Sequence, residues 1–242
     1  MVLLHGLLGS LKNLTGLARA LADDFLVCRM DLPAHGSSPA APNMSYAGMA
    51  AAVMATADQL GFQEFSVLGH SMGGKVAMQL AANHGARVRA LLIEDIAPVR
   101  YPPHHKEIIA ALSGIDLRAL RSRAEADALI QGAVPDKLTR AFLLQNLRRE
   151  EGKFVWAPDL KTIKVVYPDM CEAPENGEVY TGPTLFVAGE RSNYIQQEYQ
   201  TAIVERFPNA KYRQISGAGH WIHAEKPDSF NALARRFFKE NS

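Results

Sequence analysis

The pentapeptide Gly69-His70-Ser71-Met72-Gly73 constrains this chain more than any other feature. It follows the apolar run at 65–68 and opens a helical segment expected over 72–83, so Ser71 stands where a buried strand turns into a helix. A turn that tight forces Ser71 into a strained backbone, and side chains at positions 69 and 73 would collide with neighbouring backbone. Gly74 extends the small surface and lets the helix approach the sheet. Ser71 then sits at a helix N-terminus, where the dipole and free N–H groups favour developing negative charge. A chance Gly-Ser turn is the competing explanation, but strand, elbow and helix in succession point to a nucleophile.

A strand–elbow–helix unit needs a parallel sheet around it, and the rest of the chain supplies one. Short apolar runs at 2–4, 25–30, 65–68, 90–94, 184–188 and 211–215 alternate with amphipathic segments at 14–22, 45–60, 72–83, 194–207 and 227–239. That alternation is the pattern of an α/β fold, a mostly parallel sheet flanked by helices. The last helix has the cleanest period, with Phe230, Leu233, Ala234, Phe237 and Phe238 on one stripe. Between Pro98 and Pro183 the alternation stops, leaving helix-like pieces at 106–112, 124–130 and 137–149 and no clear core strand. A stretch of that length is too long for a structureless loop. The expected organisation is a core of 1–97 and 183–242, with a helical cap at 98–182 inserted between two sheet strands. The first strand leads directly into His5-Gly6, so one or two strands that commonly precede this point are expected to be missing.

Composition narrows the class. Apolar residues make up 48% of the 242, enough for a large core, and the net charge of +1 disfavours a nucleic-acid partner, which needs a concentrated basic face. Cys28 and Cys171 are the only cysteines, which excludes a disulfide-stapled secreted scaffold; Cys28, inside the run 25–28, reads as a small core residue. No apolar stretch reaches the ~18 residues of a membrane span, and the N-terminus lacks a basic-then-apolar leader. A cytoplasmic protein without a membrane partner is the expectation.

A serine nucleophile requires a base. Of the eight histidines, His220 follows the last apolar strand in the Gly-rich segment Ser216-Gly217-Ala218-Gly219-His220-Trp221. A loop at a strand's C-terminal end is where such sheets carry their chemistry. His223 is the rival and reads as loop support; His5, His35, His70, His84, His104 and His105 carry no partner signature. Pairing His220 and His223 as metal ligands lacks a third donor, so neither metal nor cofactor is expected. The acid is less direct. After the strand at 184–188 an Asp would commonly stand where Ser192 and Asn193 occur, and neither can hold charge. The strand at 90–94 instead ends in Glu94-Asp95, whose side chains alternate across the sheet. Asp95 is the choice, with Glu94 and Glu190 as alternates. Two N–H donors for an oxyanion would be the amides of Leu7, in the His5-Gly6-Leu7-Leu8-Gly9-Ser10 loop, and Met72. Tyr101, Trp156 and Trp221 are candidates for lining an acyl pocket.

Together the elbow at 69–75 (GHSMGGK), the strand end at 95–99 (DIAPV) and the tail at 217–227 (GAGHWIHAEKP) resemble the YbfF-type esterases of the α/β-hydrolase superfamily; 5–10 (HGLLGS) and 30–39 (MDLPAHGSSP) fit as well. The resemblance spans nearly the whole chain. It implies a capped sheet, no cofactor, a triad acid in the DIAP segment, which maps to Asp95, and hydrolysis of short acyl esters or of acyl thioesters such as acyl-CoA. Ser71 argues against dehalogenases and epoxide hydrolases, which use a carboxylate there. Carbon–carbon bond hydrolases and perhydrolases share Ser-His-Asp, and a non-catalytic binding protein would not need all three groups.

Overall fold

In the computed structural model, which describes residues 1–242, the apolar runs form one sheet and the amphipathic segments cover it. The elements are β1 (Val2–Leu4), α1 (Thr15–Leu21), β2 (Cys28–Met30), α2 (Tyr46–Gln59), β3 (Phe65–His70), α3 (Met72–His84) and β4 (Val88–Glu94). Then come α4 (Lys106–Ser113), α5 (Arg123–Ile130), α6 (Lys137–Leu144), β5 (Leu147–Glu150), β6 (Lys153–Trp156) and α7 (Leu160–Met170). The chain closes with β7 (Thr184–Gly189), α8 (Gln200–Arg206), β8 (Ala210–Ile215), α9 (Ile222–Glu225) and α10 (Pro227–Glu240). Six strands lie in the order β2-β1-β3-β4-β7-β8, and every neighbouring pair is parallel. This is the α/β-hydrolase arrangement. No helix is long and apolar enough to cross a membrane.

Side-chain alternation divides the core between the two faces. Val2, Leu4, Leu91 and Ile93 point into a large cluster with α2, α3 and the inserted helices. Leu3, Leu68, Leu92 and Leu185 point the other way, onto α1 and α10. The central strands are buried on both faces and therefore read as continuous apolar runs. The edge strand β8 exposes Lys211, Tyr212, Arg213 and Gln214, a charged edge that resists pairing with another chain.

Several expected boundaries shift. The run at 25–30 pairs only over β2, because Leu26 is 76% exposed and the chain reaches the sheet only at Cys28, which is itself half-buried. The helix expected over 194–207 is confined to α8 and a preceding 3₁₀ turn, Gln197–Tyr199; residues 194–196 form a loop. Between β4 and β7, the segment expected to be helical over 137–149 stops at Leu144, and the chain turns into the β5–β6 hairpin. Glu151 and Gly152, both at positive φ (49° and 81°), make its two-residue turn. Helix α7 was not anticipated: Asp159 caps it by accepting from the Thr162 amide, and Leu160, Ile163, Tyr167 and Met170 give it a buried stripe.

Because all six strands run the same way, the C-terminal ends of β1, β3, β4, β7 and β8 share one edge of the sheet. The loops that leave these ends carry Leu7, Ser71, Asp95, Ser192 and His220.

Candidate active site

The elbow has the strain its sequence implies. Ser71 adopts φ 53°, ψ −121° as the N-cap residue of α3. A Cβ at Gly69 would lie 2.2 Å from the Gly73 carbonyl oxygen, and one at Gly73 would lie 2.4 Å from that of His5. At Gly74 it would meet Ile96 Cγ2 at 2.6 Å. The Ser71 amide donates to the Glu94 carbonyl at 2.9 Å, tying the turn to the end of β4. Ser71 lines a narrow cavity that is open at its mouth.

Asp95 and His220 meet across the sheet edge, Nδ1 to Oδ2 at 2.7 Å. Asp95 is fully buried and also accepts from the Gly189 amide (3.1 Å) and the Ser192 hydroxyl. Burial pushes its carboxyl up, while the Ser192 and Gly189 donors oppose that. His220 keeps 18% of its side chain exposed, and Tyr194 stacks on the ring at 4.1 Å and 26°. Loss of water pulls the imidazole below its ordinary range, with the Glu94 charge opposing. The neutral ring donates from Nδ1 to Asp95, which leaves Nε2 as an acceptor. The Ser71 hydroxyl makes no hydrogen bond, so the leg from Ser71 to His220 is open; catalytic contacts of this kind commonly tighten only in the complex with substrate.

The two alternate acids are engaged elsewhere. Glu94 faces the opposite side from Asp95 and accepts from His223, from Nδ1 and from the backbone amide, both at 2.8 Å. Burial alone would raise its carboxyl; His223, then His70, hold it low. His70 lies 5.0 Å from His223 and 4.7 Å from His220, ring to ring, with its Nε2 3.0 Å from the His220 carbonyl oxygen. His70, Glu94 and His223 are the one buried trio with metal-ligand atoms grouped, within 4.8 Å, yet both Glu94 oxygens already contact His223 Nδ1. Glu190 accepts from the Gly217 amide at 2.7 Å, and the neighbouring Arg191 pairs with Glu225.

Leu7 and Met72 line the cavity beside Ser71, and neither amide makes a hydrogen bond within the chain. Tyr101 also lines it, whereas Trp156 and Trp221 do not; Trp221 packs on Phe142 at 5.2 Å. The inserted segment adds His105, Tyr167 and Met170 to the wall. Sequence reasoning gave no role here to Tyr194, His105, Tyr167, Met170 or Lys75. Lys75 is 2% exposed, donates to the Cys171 and Glu172 carbonyls, and lies 4.9 Å from the Tyr101 ring centroid. Burial lowers its ammonium to about 8. Its spacing from Ser71, four residues on one helix face, was the available signal. His35, assigned no partner from sequence, is fully buried and accepts the Leu8 amide at Nε2 (3.2 Å).

Comparison with known proteins returns the same architecture and a consistent set of names. A model of the alpha/beta hydrolase family matches residues 1–233. Esterase YbfF of Escherichia coli is 35% identical over 99% of this chain and 92% of its own length. The mouse sn-1-specific diacylglycerol lipase ABHD11 is 36% identical over 95% of this chain and 77% of its own. A solved marine microorganism esterase is 36% identical, with a TM-score of 0.94 over 98% of this chain and 94% of that one.

Proposed function

Because this chain belongs to the α/β-hydrolase family, and within it to the YbfF-type esterases, we propose that it is a carboxylic ester hydrolase with Ser71 as nucleophile. The observation that carries the assignment of roles is the 2.7 Å contact of His220 with a buried Asp95, beside a serine held at a strained elbow. His220 takes the Ser71 proton at Nε2 as the oxygen attacks the acyl carbon. The amides of Leu7 and Met72 receive the oxyanion, and such a donor is typically worth ~10²–10³ in rate. The alcohol leaves with the proton from His220, and water activated by the same ring releases the acid from Ser71. Asp95 holds the tautomer and stabilises the imidazolium. Activity falls on the acid side as His220 takes up a proton and can no longer act as base.

Residues 98–182 act in this reading as a cap that sets acyl length over a core of 1–97 and 183–242. The narrow cavity, with Tyr101, His105 and Tyr167 in its wall, supports short- to medium-chain acyl groups. Thioesters fit the same chemistry, since the acyl-enzyme is common to both. The test is a p-nitrophenyl ester series with graded acyl length, beside matching thioesters. Wild type should turn over the short esters and label at Ser71 with a fluorophosphonate, and Ser71→Ala should do neither. Undiminished turnover by Ser71→Ala would overturn the mechanism.

A further inference from the structure

The loop that offers the Leu7 amide is held from the inserted segment by one side chain. Leu8, the next residue, adopts φ 56° and is 2% exposed. A leucine rarely takes this conformation, and it persists only where the surroundings hold it. Neither polar backbone group of Leu8 has a backbone partner. Its amide donates to His35 Nε2 at 3.2 Å, and its carbonyl accepts from Asn146 Nδ2 at 2.5 Å. Asn146 stands between α6 and β5, far from the sheet in sequence, and is 4% exposed. It is itself anchored: its amide donates to the Leu143 carbonyl (3.2 Å), and its carbonyl accepts from Ala157 (2.8 Å). Beside it, Gln145 Oε1 accepts from Asn13 at 3.2 Å, and Arg148 donates to the Ser37 hydroxyl at 3.2 Å.

We propose that Asn146 is a positioning residue for the oxyanion hole: by holding the Leu8 carbonyl it keeps the Leu7 amide aimed into the Ser71 cavity, so the inserted segment must be seated for the hole to be complete. The inference rests on the esterase reading and on Leu7 as a donor. Loss of the Asn146 contact leaves a buried carbonyl without a partner and removes one of two clamps on a strained residue. Relaxation of φ at Leu8 swings the chain on both sides and turns the Leu7 amide away. Substrate contacts elsewhere in the cavity are untouched, so the loss falls on the transition state and not on ground-state binding.

The experiment uses the full chain with Asn146→Ala and with Asn146→Asp, which keeps the size and removes the N–H donor. Active sites are counted by fluorophosphonate labelling run to completion, so a partly unfolded preparation lowers the number of sites and not the turnover per site. Both variants should lose 10- to 100-fold in kcat on p-nitrophenyl butanoate, with KM within 3-fold of wild type and an unmoved pH profile. Affinity for a trifluoromethyl ketone, which forms a tetrahedral adduct with serine, should fall by the same factor as kcat/KM. A kcat per site within 3-fold of wild type, or a lowered kcat with the ketone bound as tightly as before, would overturn the proposal. Wild type that neither labels nor turns over would instead sink the esterase reading on which it rests.

Discussion

Glu94 and Asp95 are neighbours in sequence, yet each holds a different histidine. Glu94 is the last residue of β4 and Asp95, at φ 55°, begins the turn after it, so strand alternation does not extend to Asp95; Asp95 meets His220 and Glu94 meets His223. The two pairs look alike chemically and differ in exposure: the His220 side chain is 18% exposed and the His223 side chain 5%. Asp95→Asn should therefore leave the fold intact and cost ~10⁴ in kcat through loss of the required tautomer. Glu94→Gln should keep kcat within about tenfold and lose ~1–3 kcal/mol of stability, since a buried hydrogen-bonded charge is removed while its donors remain. Urea titration and ester turnover of both variants check this, and an exchange of the two phenotypes would exchange the two roles. The meeting of Asp95 with His220 was legible in sequence because the usual acid position held Ser192. The hydrogen bond from Ser192 to Asp95 was not, because it joins residues 97 apart whose meeting depends on the order of strands.

Legibility among the elements follows burial. Strands β1, β3, β4 and β7, buried over most of their length, appear in the sequence as largely apolar runs, and α10 appears through its helical stripe. The β5–β6 hairpin does not, because its strands are charged and largely exposed and pair only with each other instead of extending the main sheet. Glu151-Gly152 was its one local sign. The elbow is the element whose sequence and geometry agree most closely, and its glycines can be tested singly. A methyl group at Gly73 would come within 2.4 Å of the His5 carbonyl oxygen and 2.6 Å of that of Leu4, both backbone atoms of β1 or its exit. Gly73→Ala should lower the Tm by an amount equivalent to ~1–3 kcal/mol or more and depress activity, because α3 must move off β1. At Gly132 a Cβ would meet nothing within 4 Å, so Gly132→Ala should be neutral or slightly stabilising. Equal Tm values for the two variants would contradict the close approach of α3 to β1.

At the scale of the molecule, the loops at the active edge are braced by histidines that must stay neutral. His5 Nε2 accepts from the Leu32 amide (3.0 Å) and His35 Nε2 from the Leu8 amide (3.2 Å), while their Nδ1 atoms lie 2.8 Å and 2.9 Å from the Gly6 and Pro33 carbonyl oxygens. The rings are therefore Nδ1–H tautomers, and a proton added at Nε2 would displace a backbone donor. Burial pulls His5 down, and takes His35 and His70 to about 3. An unfolded histidine accepts its proton near 6.5. As pH falls below that value the unfolded chain binds protons that the folded one refuses, so stability falls with it. Asp95 runs the other way: burial raises its carboxyl, which by itself favours the folded state as pH drops toward the unfolded value near 4. Three buried histidines outweigh one acid, since a shift of two units in a single group is already worth ~2.7 kcal/mol. The urea midpoint should thus be nearly flat from pH 8 to about 6.5 and fall by several kcal/mol equivalent between about 6.5 and 4. His35→Asn, which supplies an uncharged acceptor to the Leu8 amide, should flatten that slope even if it lowers the plateau. A midpoint that stays level or rises through this window would mean that these rings take up protons without opening the loops they hold.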